Sequence, residues 1–252
     1  MNVAPKPAIT ARPAGEVWKE DEVAARIDHA VLTPTLTDRD LSAAVRMCLR
    51  RRVGCLCVRP SDVVTAATML AGQPVRVAAV IGFPHGSHRT ETKAFEAGLA
   101  VADGAVELDM VMNLPAFLSA RYSDVEADIA AVVAVAGAPQ GASMRHGSTT
   151  RPIVKVILET SLLTAEQIAT ACRIAEAAGA DFVKTSTGFS GGGATREAVA
   201  VMLDTVQGRV GVKASGGIRS WTEAIGFLDM GCARIGVGDA ERILDGVPRP
   251  LS

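Results

Sequence analysis

From about residue 23 the chain repeats one phrase: a short run of β-branched and apolar residues, then a longer Ala-rich stretch of helical character. The strand candidates are IDHAVL (27–32), VGCLCV (53–58), RVAAVIG (76–82), AVELDMV (105–111), IVKVILE (153–159), DFVKTS (181–186), VGVKAS (210–215) and ARIGVG (233–238). Between them lie helical stretches such as 37–51, 89–104, 122–137, 164–179, 195–208 and 220–231. Several open on Ser, Thr or Asp and close on Gly, as helix ends prefer. SDVE (123–126) and TAEQ (164–167) fit the capping-box pattern.

Strand runs this apolar, without clean alternation, are those of parallel strands buried on both faces. Eight β-then-α units in about 225 residues predict an α/β fold, a single-domain (β/α)8 TIM barrel. The competing architecture is a doubly wound open sheet, against which no G-x-G-x-x-G follows the first strand. Residues 1–16, rich in Pro and Ala, read as a flexible arm, with the barrel domain over 17–252. The polar, Gly- and Ser-rich segment 138–152 reads as an exposed, mobile loop before the fifth strand.

The remaining composition narrows the function. With 252 residues, 48% of them hydrophobic, the chain suits one globular domain with a large core. A formal net charge of −1, no basic block and 4% aromatics argue against nucleic acid as a partner. No run of about 18 apolar residues predicts a membrane span, and the first residues lack the apolar stretch of a signal peptide. Five cysteines, an odd number set in helix- and strand-like segments, read as reduced thiols in a cytoplasmic protein. Cys55 and Cys57 have the wrong spacing for a C-x-x-C redox or zinc motif.

Lysine is scarce: only Lys6, Lys19, Lys93, Lys155, Lys184 and Lys213 stand among 26 basic residues. Three of them, Lys155, Lys184 and Lys213, lie within predicted strands. Arginine stays charged, whereas a buried amine crowded by a second cation becomes neutral and nucleophilic. In a barrel of this type active sites form at the carboxyl ends of the strands. The polar strand residues Asp28, Cys57, Asp109, Lys155, Lys184, Thr185, Ser186, Thr187 and Lys213 are therefore the candidates. Lys184 and Lys213 belong to consecutive units, so one ammonium is able to depress the pKa of the other, and a neutral lysine attacks a carbonyl to form a Schiff base. Asp28 and Asp109 could carry protons. A strand lysine is more often half of a structural ion pair; three lysines and two aspartates in one mouth favour a site. Glycine-rich turns after strands six, seven and eight (TSTGFSGGGAT, SGGIRS, GVGDAE) are equally ordinary tight turns or a phosphate cradle, and three in adjacent units favour a phosphorylated ligand.

The motifs IDHAVL, CLCVRP, AAVIGFPHG, ELDMVMN, VKVILET, GADFVKTSTGF and VKASGGIR, in this order over about residues 27–236, resemble the deoxyribose-phosphate aldolase family of class I, Schiff-base aldolases. The resemblance implies reversible cleavage of 2-deoxy-D-ribose 5-phosphate to D-glyceraldehyde 3-phosphate and acetaldehyde, in deoxyribonucleotide catabolism. It implies Lys184 as the Schiff-base lysine, Lys213 as the cation that lowers its pKa, Asp109 as the proton-relay carboxylate and Asp28 as the holder of Lys213. Cys57, Lys155 and Thr187 match residues near the substrate, although Cys57 reads more readily as a small buried hydrophobe than as a catalytic part, and Lys155 also reads as an electrostatic neighbour. Gly188, Gly216, Gly217 and Gly236 match phosphate-loop positions, with Gly238 a further backbone donor. His29 and His85 read as structural. The iminium is its own electron sink, so no cofactor and no metal are expected. The implied partners are the phosphorylated sugar, acetaldehyde and further copies of the chain, as a homodimer or higher homo-oligomer with Trp221 on a contact.

Three departures stand out. The family's usual Thr after Asp-His is Ala30; Gly238 and Asp239 replace a serine pair that helps bind phosphate; the chain ends GVPRPLS, without the family's C-terminal Tyr. Asp239 leaves open a related Schiff-base aldolase that prefers an unphosphorylated or different acceptor. A non-catalytic phosphosugar-binding barrel is the reading outside enzymology.

Overall fold

The computed structural model describes residues 17–137 and 151–248. The flexible arm expected over 1–16 and most of the loop expected over 138–152 lie outside the described residues, as do the last four residues of GVPRPLS. All eight expected strands form: β1 (Ile27–Val31), β2 (Cys55–Val58), β3 (Arg76–Ile81), β4 (Glu107–Val111), β5 (Ile153–Ile157), β6 (Phe182–Lys184), β7 (Gly211–Ser215) and β8 (Arg234–Val237). Each pairs in parallel with its sequence neighbours, and β8 pairs with β1, which closes the sheet into a barrel.

The six helical stretches read from sequence become α2 (Asp38–Arg51), α4 (Thr90–Asp103), α6 (Tyr122–Gly137), α7 (Ala165–Ala177), α8 (Arg196–Val206) and α9 (Trp221–Met230). Short helices α1 (Glu20–Ala24), α3 (Val63–Met69), α5 (Leu114–Leu118) and α10 (Ala240–Asp245) complete the described set. The Thr164–Gln167 capping box is present at α7, and equivalent boxes pair Thr37 with Asp40 and Ser220 with Glu223. The box expected at Ser123 does not form. The α6 helix already begins at Tyr122, and the carbonyl of Arg121 accepts the first helical bond from Val125 N–H at 3.2 Å. Ser123 thus lies inside the first turn, where its hydroxyl is two residues too late to cap.

Two kinds of packing fill the molecule. Outward-facing strand residues such as Leu56, Leu108, Met110, Val154, Val156, Val183 and Val212 are buried beneath the helices, in one continuous apolar layer. Each fully buried Leu, Ile or Val contributes about 1.5–3 kcal/mol, so this layer holds the barrel closed. The bore is divided. On the β1–β3 side it holds Cys55, Cys57, Ala78 and Val80, with Ala30 packed against them. On the β4–β8 side it holds charges. Trp221, expected on a subunit contact, is only 4% exposed, with Gly246 beyond α10 lying against its Cβ. A large apolar side chain at the first position of an amphipathic helix is worth more in the core than at the surface, and that expectation is corrected. All five cysteines are free and buried, and among the described residues no helix is long and apolar enough to cross a membrane.

Candidate active site

Four cations and three carboxylates share the charged half of the bore: Lys155, Lys184, Lys213 and Arg234 with Asp28, Glu107 and Asp109, all buried. Their order follows from the two-residue period of a strand, which puts i and i+2 on one face. Glu107 and Asp109 come from β4 at successive inward positions, Lys155 sits opposite Asp109 on β5, and Lys184 lies in register with Lys213 across the β6–β7 pair. Arg234 is in register with Lys213, and Asp28 with Gly236.

Asp109 is the hub. Its Oδ1 accepts from Lys155 Nζ at 2.7 Å, while Oδ2 accepts from Lys184 Nζ and Lys213 Nζ at 2.7 Å each. The two amines suspected from sequence therefore meet at a single oxygen. Lys213 also holds Asp28, and Arg234 holds Asp28 from its other side through Nε at 2.8 Å. Lys155 adds Glu107 and, at 3.5 Å, Asp28. Glu107 is closed from below by Arg76 at 2.8 Å and by Arg234 at 3.3 Å.

Counting partners shows which cation is least compensated. Among the described residues, Lys155 faces three carboxylates, Lys213 and Arg234 face two, and Lys184 has Asp109 alone, on an oxygen it shares. A buried ion that lacks full pairing sheds its charge. Burial, then the neighbouring Lys213 ammonium, lowers the Lys184 pKa against the pull of Asp109. Burial would lower Lys213 too, but Asp109 and Asp28 override it and hold that amine above its ordinary value. The same happens at Lys155, through Asp109, Glu107 and Asp28. Burial would raise Asp109, yet the three lysines keep it well below the carboxylate range. The protons are thus divided unequally between two amines on one carboxylate oxygen: Lys213 keeps its own and Lys184 is the one disposed to lose it.

The other expected residues divide by depth. Lys155 is fully buried on carboxylates, so its geometry is that of a support for Asp109 and not of a group lining the mouth. Cys57 belongs to the apolar half, and burial pushes its thiol up to about 11. Thr187 is buried beyond the end of β6, where Gly188 is exposed. After β7, Gly216 adopts φ +91° with a built Cβ only 2.9 Å from Gly193 Cα, a place only glycine fills without strain, and Gly217 is open. Gly236, matched to a phosphate-loop position, lies buried inside β8, as the strand run 233–238 expects. A Cβ there would come within 2.7 Å of Ser215 Cβ and 3.0 Å of Lys213 Cε, so its lack of a side chain makes room for Lys213. Gly238 is exposed and open at the rim. Ser186, two residues past Lys184, has a buried hydroxyl without a hydrogen-bond partner among the described residues.

At the β8 rim the Asp239 carboxylate caps α10 by accepting from Arg242 N–H at 3.0 Å. His29 is buried, accepts from Ala240 N–H at 3.4 Å, and is pushed down to about 4 by burial, so it is neutral at pH 7. Asp28, Cys55 and Glu107 bring ligand atoms within 4.8 Å of one another. Both carboxylates there already hold Arg234 and Lys155, and burial keeps the Cys55 thiol protonated, so protein cations fill the place a metal would take.

Sequence reasoning did not single out Glu107, Arg234 or Glu159. For the first two the signal was present as the i, i+2 spacing to Asp109 and Gly236. Glu159 is held by the loop after β6, and nothing in the order of residues marks that pairing.

The sequence model of a family described as DeoC/LacD family aldolase matches residues 22–231. A protein from Cutibacterium acnes named deoxyribose-phosphate aldolase 1 is 46% identical over 222 residues, 88% of this chain and 96% of that protein. The crystal structure of a putative deoxyribose-phosphate aldolase from Coccidioides immitis superposes with a TM-score of 0.83 at 38% identity, covering 96% of this chain and 90% of that one. A deoxyribose phosphate aldolase from Aeropyrum pernix, described as a unique tetramer, gives a TM-score of 0.79 at 31% identity over 90% of this chain and 91% of that one.

Proposed function

Because the chain belongs to the DeoC/LacD family of aldolases, we propose that it cleaves 2-deoxy-D-ribose 5-phosphate reversibly through a Schiff base on Lys184. The observation that carries this reading is the pair of amines on one Asp109 oxygen, with Lys184 the less compensated.

The neutral Lys184 amine adds to C1 of the open-chain sugar, and loss of water leaves an iminium. A base takes the proton of the C3 hydroxyl, the C2–C3 bond breaks, and its electron pair passes into the iminium to give an enamine. The departing fragment is D-glyceraldehyde 3-phosphate. Protonation of the enamine at C2 restores an iminium, and water releases acetaldehyde and the free amine. Lys213, kept protonated by Asp28 and Asp109, is the nearest acid, and Asp109 passes the proton among the amines it joins. The open backbone of Gly188, Gly217 and Gly238 supplies amides to the phosphate. Borohydride reduction in the presence of acetaldehyde, followed by peptide mapping, tests the assignment. An adduct on the peptide bearing Lys184 is expected, and an adduct elsewhere or none refutes it.

Asp239 favours a second reading, in which the acceptor is an aldehyde without phosphate. Its exposed carboxylate stands in the turn after β8, where it already occupies the amide of Arg242. Comparing kcat/KM for deoxyribose and its 5-phosphate separates the two. The tetrameric relative and the buried free thiols support a homo-oligomer in the cytoplasm, which sedimentation and cell fractionation would test.

A further inference from the structure

Just past β5 the chain turns through Glu159, which is 3% exposed and adopts φ 58°, ψ 58°. The left-handed region is costly for a residue with a Cβ, about 1 kcal/mol or more, and persists only where the surroundings impose it. Here the surroundings are the loop after β6. Both carboxylate oxygens accept from Thr187 N–H at 3.3 Å, and one also accepts from the Thr187 hydroxyl at 2.5 Å and the Ser190 hydroxyl at 3.1 Å. The Thr187 hydroxyl oxygen in turn accepts from Phe189 N–H at 3.0 Å, and the Phe189 ring packs edge-on against Phe83 after β3, centroids 5.1 Å apart. Hydrogen bonds to an ionised acceptor are among the strong ones, and three donors converge on this carboxylate.

The residues flanking Glu159 clamp the backbone that carries the amine. Leu158 N–H donates to the carbonyl of Lys184 at 2.9 Å, and Thr160 N–H to that of Thr185 at 3.0 Å. Glu159 also borders a cavity of about 250 Å³ shared with Pro84, Met112, Leu158 and Ser190, so its far side meets space and not packing. Among the described residues, the hydrogen bonds of its carboxylate all go to one loop.

We propose that Glu159 is a positioning residue: its carboxylate holds Thr187 to Ser190 in the shape that receives the part of the substrate beyond the reacting carbonyl. Lys184 itself is held by backbone bonds that do not involve the carboxylate. This rests on the aldolase reading above. The strained turn is then the cost of aiming a carboxylate across the β5–β6 junction at a loop that has few apolar contacts of its own.

Glu159→Gln replaces one acceptor with an N–H where three donors meet, and loss of a charged hydrogen bond corresponds to roughly 10-fold or more. KM for deoxyribose 5-phosphate should rise by about that factor while kcat changes less than about threefold. Borohydride trapping of acetaldehyde, which is too short to reach the loop, should proceed at the wild-type rate. Ser190→Ala, a milder change, should raise KM about threefold, and the double variant should be no worse than Glu159→Gln alone. A fall in kcat at unchanged KM, slowed acetaldehyde trapping in a folded Glu159→Gln protein, or additive effects in the double variant would overturn the proposal. If Glu159→Gln does not fold, an unchanged KM for Ser190→Ala overturns it instead. Failure of wild-type trapping would strike the Schiff-base reading and not this one.

Discussion

Two buried lysines in this protein sit among different partners. Lys93 on α4 is wholly enclosed, yet it answers to one carboxylate: Nζ donates to Asp128 of α6 at 2.6 Å and to the Val111 carbonyl at 2.9 Å. Charges there balance one to one. In the bore, among the described residues, four cations face three carboxylates, and Lys184 shares its one partner atom with Lys213. Burial lowers the pKa of both amines, and at Lys93 the Asp128 charge is what opposes it. At Lys184 the opposing Asp109 is divided among three lysines, and a neighbouring ammonium works with burial. Burial acts on both amines alike; what sets Lys184 apart is a second ammonium on the same carboxylate oxygen, which works in the same direction as burial.

The largest effect expected from this contrast is at Lys184. Lys184→Ala should abolish turnover and trapping while thermal stability holds or rises, because removing a neutral amine leaves Lys155, Lys213 and Arg234 matched to the three carboxylates. A marked loss of stability in a denaturant melt would show that Lys184 is an ordinary ion-pair partner, as Lys93 is. Next is Lys213→Leu. Removing a cation beside Lys184 raises the pKa of that amine, so the acid limb of the pH–rate profile should move to higher pH, with turnover down by about 10²–10⁴-fold for loss of an acid–base group. An unmoved limb would count against the crowded-amine account.

The third test falls on the balanced pair. Lys93→Met strands a buried Asp128 and should cost about 3–5 kcal/mol in unfolding free energy, whereas replacing both partners with apolar residues should recover most of it. Turnover per folded molecule should stay near wild type in both. The smallest effect belongs to Cys57→Ala. With its thiol pushed to about 11, Cys57 is protonated at neutral pH, so the variant should keep turnover within about twofold and lose on the order of 1 kcal/mol. Rapid alkylation of wild-type Cys57 at pH 7 with loss of activity would contradict this.

The barrel was legible because short apolar runs recur in turn with longer stretches of helical character, and most of the connections between them are short. The site was legible in part for the same reason: Asp28, Asp109, Lys155, Lys184 and Lys213 are charges inside apolar strand runs, and a closed parallel barrel has one interior to hold them. Glu107 and Arg234 stand at strand beginnings, where a charge looks like the solvent-facing end of an element. Only the closure of β8 on β1 shows that Arg234 reaches Asp28. The Lys93–Asp128 pair joins residues 35 apart on two helices, a separation that no local pattern encodes. Ser123 failed as a cap because the helix begins at Tyr122, ahead of its polar signature, and Gly236, within a strand run, was tied to the phosphate only by its place in a family motif.

That glycine has a consequence for how the bore is able to change. Position 236 donates its unused volume to the methylene chain of Lys213, so even a methyl there would push on the amine it accommodates. Enlarging or reshaping that wall dislodges the chemistry. Across the bore, Ala30, Cys57, Ala78 and Val80 are short, apolar and tied to no ion. Tailoring the receptacle to longer or bulkier aldehydes therefore has latitude in one direction only, toward the half that carries no charge.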